Sequence, residues 1–203
     1  MGGVYRQGDV AEAIGTGARA VVRASGVDLW WFPMASAGAA DDRCDPVDGV
    51  AYADRVVSFA VGSHVEPAYA DPKNALGPPD FHEGAGAVSL GNRGRGKAEL
   101  VVAFGAAQLI DGPGADLVVH EQGPSAEPTE LAVSADGATW YDVGVLGGAI
   151  REVDLAGKVP AGVRFGLVRL RSASPRSAAG PWAGPDVDAV GLLHACTAGR
   201  PNT

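Results

Sequence analysis

From residue 50 onward apolar and polar residues alternate with a period of two, and clusters of Gly, Pro, Asp and Asn punctuate the runs. AYADRVVSFAVG predicts a strand over 55–59, and AELVVAFGA predicts another over 99–104. ADLVVHEQ, TELAVSADGATWYDVGVL, VRFGLVRLRSAS and DAVGLLHAC supply the rest. Asp136-Gly137, with alternating apolar residues on both sides, is the strongest hairpin signal. No amphipathic helix separates the strands, whereas a parallel sheet needs crossover helices. The pattern therefore predicts an all-β, antiparallel β-sandwich of jelly-roll type.

The pattern is different over 1–43. DVAEAIGTGARAVVRASG is weakly helical, and VDLWWFPMASAGAADD joins an aromatic apolar patch to a small-residue A-S-A. With Arg19 and Arg23 ahead of it, this reads as a degenerate export leader interrupted by Asp28 and Pro33, or as an N-terminal extension. The expected organisation is 1–43 as that segment, 44–197 as the sandwich and 198–203 as a short tail. Cys44 and Cys196 bracket the strand series, as they would if a bridge fastened the ends of one domain; two buried thiols are the alternative. A bridge would imply an oxidising, extracytoplasmic compartment.

Composition narrows the function. Thirty glycines and 14 prolines among 203 residues suit short strands joined by turns. Asp and Glu total 24 against 16 Lys and Arg, for a net charge of −8, which argues against a nucleic-acid partner. No apolar run reaches the roughly 18 residues of a membrane-spanning helix. The histidines, His64, His82, His120 and His194, lack the H-E-x-x-H spacing, and neither a Cys-x-x-Cys pair nor a G-x-S-x-G elbow is present. GNRGRGK lacks the Ser or Thr of a phosphate loop and precedes a strand, so it reads as a hairpin turn.

One stretch carries chemistry. In IDGPGADLVVHE, Asp111 and Asp116 flank a Gly-Pro-Gly turn and Glu121 follows at the end of a β run. Solubilising loop acids are one reading. A second sets Asp111 or Asp116 opposite Glu121 as the acid pair of a carbohydrate-active hydrolase or lyase. The third is calcium, which takes carboxylate and main-chain oxygens together, both of which a kinked, acid-flanked turn supplies.

The succession ADPKNALGPPD, VSLGNRGRGKAELVVAFG, IDGPGADLVVHE, EPTELAVSADGATWYDV, VRFGLVRLRSAS and GPDVDAVGLLHA resembles a bacterial cell-surface domain. That domain is allied to the galactose-binding-like jelly rolls of the discoidin and coagulation factor 5/8 type C kind, and the resemblance spans roughly 50–196. It implies that Asp80 lies in a calcium-binding loop completed by an acid of the last strand, which nominates Asp186 and Asp188. It places Asp111, Asp116 and Glu121 in the acidic signature of the narrower family. Departures stand at Leu117, His120 and Pro185, and His120 puts an imidazole where an aromatic ring usually packs.

A glycan site needs aromatic faces and planar polar groups on loops. Trp182 and Arg176 share a Pro/Gly-rich loop, and Tyr69, Phe81 and His82 lie near the expected ion; Trp140, after the hairpin turn, reads as a packing residue. The expectation is a non-catalytic, calcium-stabilised binding or adhesion module, secreted or on the cell surface, with a glycan or another surface ligand. A structural surface or assembly subunit and the hydrolase are the alternatives.

Overall fold

The alternation that predicts strands also sorts side chains to two faces: burial alternates along Leu167–Ser172, whereas Glu99–Ala103 and most of Asp186–Leu192 are buried on both faces. The computed structural model describes residues 44–80, 86–93, 97–123, 126–148, 151–173 and 183–198, together with the backbone at 14–15 and 18–19. At those first four positions β1 (Ile14–Gly15) pairs antiparallel with β2 (Ala18–Arg19), where the sequence is weakly helical. Cys44–Ala198 forms one compact unit and is described by itself.

Within that unit the short strands are β3 (Cys44–Pro46), β4 (Ala51–Tyr52), β6 (Val88–Ser89), β8 (Ala107–Leu109), β12 (Glu152–Val153) and β15 (Ala195–Ala198). The longer ones are β5 (Arg55–Ala60), β7 (Glu99–Ala103), β9 (Leu117–Glu121), β10 (Ala126–Ser134), β11 (Tyr141–Gly148), β13 (Leu167–Ser172) and β14 (Asp186–Leu192). One sheet has the order β11-β10-β13-β7-β5, a second the order β12-β9-β14-β4 with β6 also on β14, and a third the order β3-β15-β8. Every pairing is antiparallel. Among the described residues the helical elements are two short 3-10 turns, η1 (Pro67–Tyr69) and η2 (Pro72–Ala75), and no helix there is long and apolar enough to cross a membrane.

The chain is an all-β sandwich. Leu100, Val102, Leu131, Val133, Val168 and Leu170 of the first sheet meet Val88, Leu117, Val119, Val187, Val190 and Leu192 of the second in a single core. Successive strands pass between these sheets, as from β9 to β10 and from β13 to β14, the habit of jelly rolls. The Asp136-Gly137 pair does join a hairpin, β10 to β11, through a loop longer than two residues. The Asp136 carboxylate accepts from the N–H groups of Ala138 and Thr139 at 2.8 and 2.7 Å, and Gly137 takes a φ of +76°.

Cys44 and Cys196 form a disulfide that ties β3 to β15 across 152 residues of chain. In the chain-entropy account a closed loop of that length contributes about 5 kcal/mol. His120, on β9, packs its ring 6.2 Å from that of Tyr52, so an aromatic contact survives where the resemblance leads one to expect a larger ring.

Candidate functional site

The acids named from the sequence fall into three places. Asp111, Asp116 and Asp154 are the trio that, among the described residues, brings one carboxylate oxygen each to within 4.8 Å of one another. Asp111 and Asp154 are exposed, while Asp116 is wholly buried.

Asp116 stands just before β9 and joins three loops. Its Oδ1 accepts from the Gly112 N–H at 2.7 Å and contacts His194 Nδ1 at 2.9 Å, and its Oδ2 accepts from the Leu155 N–H at 2.7 Å. Its main chain is equally engaged, with its N–H donating to the Val153 carbonyl at 2.8 Å and its carbonyl accepting from Leu193 at 2.7 Å. A buried carboxylate survives only when such donors replace water. The glycine at 112 has a steric cause, since a Cβ there would lie 2.5 Å from the His194 ring. The Asp-Gly-Pro-Gly-Ala-Asp turn is thus a clasp, with Asp116 as its tongue. It leaves Asp111 free at the rim beside Asp154, whose Oδ1 caps its own turn by accepting from the Ala156 N–H at 2.8 Å.

Asp80 and Asp188 meet at a second place. The Asp80 N–H donates to Asp188 Oδ1 at 3.2 Å across 108 residues, with Asp188 5% exposed and the Asp80 side chain exposed. A bulge arranges this. Val187 pairs with Glu121 but Ala189 pairs with His120, so Asp188 is the extra residue of β14. Strict alternation would send Asp188 into the core alongside Val190 and Leu192; the bulge resets the parity, so that Val187 takes the core position and the carboxylate is re-aimed.

Glu121 and Asp186 occupy the third place, at the far end of β9. Glu121 accepts from the Glu127 N–H at 3.0 Å and the Thr129 hydroxyl at 3.3 Å, and Asp186 accepts from the Ser89 hydroxyl. Burial pushes the Glu121 carboxyl up to about 7, against the lowering effect of those two bonds and of Arg151. Burial likewise raises Asp186, and it raises Glu127, with the nearby Asp186 adding to the effect.

This separation corrects one grouping. Five residues of extended chain span roughly 16 Å, so Asp116 and Glu121 stand too far apart for the roughly 5–9.5 Å of a glycosidase acid pair. For the same reason a single ion does not reach both.

Asp154 and His194 are the residues that sequence reading missed. Neither sits in a motif, and both arrive by tertiary convergence; the one local sign is Asp154 opening the turn of DLAG. Tyr69 lies half-buried in η1. Trp182, Arg176, Phe81 and His82 lie outside the described residues.

No protein-family model matches the sequence, and no curated protein matches it either. Among solved structures the chain overlays in part on a family 89 glycoside hydrolase from Clostridium perfringens. In complex with its substrate GlcNAc-alpha-1,4-galactose, that enzyme gives a TM-score of 0.35 at 10% identity over 78% of this chain and 16% of its own. Its complex with PUGNAc gives 0.33 at 11% identity, over the same shares of the two chains. Overlaps this loose decide neither family nor activity.

Proposed function

We propose that the domain is a non-catalytic binding module of galactose-binding-like, jelly-roll type, displayed outside the cytoplasm and stabilised by calcium, with a glycan as its ligand. The observation that carries the ion is the convergence of Asp111, Asp116 and Asp154 within 4.8 Å. Calcium takes six to eight oxygens at about 2.3–2.6 Å, so carboxylate oxygens at that mutual distance fit one coordination sphere. Asp111 and Asp154 offer exposed carboxylates to an approaching ion. Asp116, with two contacts on Oδ1 and one donor on Oδ2, has its remaining acceptor capacity on Oδ2. The Gly-Pro-Gly backbone beside them supplies carbonyl oxygens. The disulfide supports an oxidising compartment.

Thermal melting with and without chelator tests the ion. A ligand bound only to the native state stabilises by about 2.7 kcal/mol at a hundredfold excess over Kd, so EDTA lowers Tm and added calcium restores it. Asp111→Asn with Asp154→Asn should abolish that response without lowering Tm in EDTA, because both side chains are exposed. Superimposable curves for the wild type in EDTA and in calcium would remove the metal.

A further inference from the structure

The outward face of the five-stranded sheet carries an open groove of about 620 Å³ that none of the acid sites uses. Four cations line it, Arg93, Lys158, Arg169 and Arg171, with two carboxylates, Glu130 and Asp142, set among them. The same alternation that fills the core builds this face. Glu130 pairs with Arg171 and Ala132 with Arg169 across β10 and β13, while Leu131, Val133, Val168 and Leu170 point inward.

The cations are held in place. Arg93 Nη1 lies 2.8 Å from Glu130, Arg171 Nε 2.6 Å from Glu99, and Arg169 3.6 Å from Asp142. Lys158 Nζ donates to the Asp154 carbonyl at 2.8 Å. The Arg169 guanidinium lies 4.5 Å over the Trp140 ring, and its side chain is only 14% exposed. Burial, and after it the charge of Arg171, lowers the Arg169 pKa, against the raising effect of Glu99, Asp142 and Glu130. Along the rim, Leu131 pairs with Gly144 but Ala132 with Asp142, so Val143 is the extra residue of a bulge. Gly144 there takes a φ of +146°, and Val145 is turned out at 55% exposure. Bulges of this kind bend a strand beside a binding surface.

We infer that this groove is the ligand site of the module and that it takes a carboxylate-bearing glycan, a chain of uronic acid residues. The inference rests on the reading of the domain as a binding module and deepens it. Guanidinium forks match carboxylates in geometry and charge. Glu130 and Asp142, beside their arginine partners, keep acceptor capacity that sugar hydroxyls can use and a polyphosphate cannot. Val145 adds apolar surface for the C–H face of a sugar ring. In a chain of net charge −8, four cations on one groove are a local reversal of sign.

Calorimetric titration of hexagalacturonate against its neutral counterpart, galactohexaose, tests this. Hexagalacturonate binds, the neutral chain does not, and the affinity falls as salt rises. Arg169→Gln weakens binding by about tenfold or more, since a charge-assisted pair is lost, and lowers Tm slightly because the stacking on Trp140 goes with it. Asp142→Asn strengthens binding by roughly threefold through removal of a repelling charge at short range, an effect that a merely structural role would not produce. Equal binding of the neutral chain, indifference to Arg169→Gln, equal binding of dextran sulfate, or no binding of hexagalacturonate would each overturn the assignment. The same samples, melted in EDTA and in calcium, separate its failure from that of the ion. Binding that survives Arg169→Gln keeps the module and moves its ligand elsewhere.

Discussion

Two carboxylates stand at opposite ends of β9, and the chain treats them differently. Asp116 is wholly buried, yet donors from three loops converge on it; Glu121 is 9% exposed and receives one main-chain and one hydroxyl donor. At Asp116 the polar contacts stitch the loops together. At Glu121 burial outweighs them and holds a proton up to about pH 7. Asp116 serves as a structural clasp, whereas fewer donors meet Glu121 and burial raises its pKa.

Removing the clasp has the larger effect. Asp116→Ala orphans the Gly112 and Leu155 N–H groups and the His194 ring, and breaking so buried a network costs about 3–5 kcal/mol. Urea unfolding in EDTA measures it free of any ion, and a loss within that of an ordinary surface substitution would dissolve the contrast. Next comes pH. The folded Glu121 carboxyl holds its proton to about 7 while the unfolded chain releases it near 4.5, so the folded state carries more protons between those values. Stability is therefore full below about pH 4.5 and declines as pH rises through 7, by on the order of 2–3 kcal/mol for this group. Glu121→Gln should flatten the decline in urea midpoint between pH 5 and 8, and parallel slopes for the two proteins would assign it elsewhere, to Glu127 or Asp186. Smallest is Gly112→Ala, whose new Cβ presses on the His194 ring and costs about 1–3 kcal/mol. An unchanged Tm there would mean that the ring yields and the glycine serves the turn alone.

The long strands were legible because a run of five or more strand-type residues stands out: β5, β7, β9 and β13 each fall within a run read from the residues alone, and β10 does so from Thr129 onward. β4, β6 and β12 are two residues long, too short for any period to show, and they exist because a neighbour offers an unpaired edge. The start of β14 lies ahead of the run DAVGLLHAC, because the bulge at Asp188 breaks the alternation there. At the candidate site, the turn around Asp111 and Asp116 announced itself through its glycines. What the sequence does not display is which donors will face a carboxylate, so the work done by Asp116 and the arrival of Asp154 and His194 depend on packing. The groove was equally hidden, since Arg169 and Arg171 read as the solvated face of a strand until β10 and β11 bring Glu130 and Asp142 beside them.

The Cys44–Cys196 link has a practical corollary. A protease that cuts any one exposed loop between the two cysteines leaves the pieces covalently joined, so a nicked molecule keeps its full mass until a reductant is added. Nicks would then accumulate in this domain without releasing a fragment.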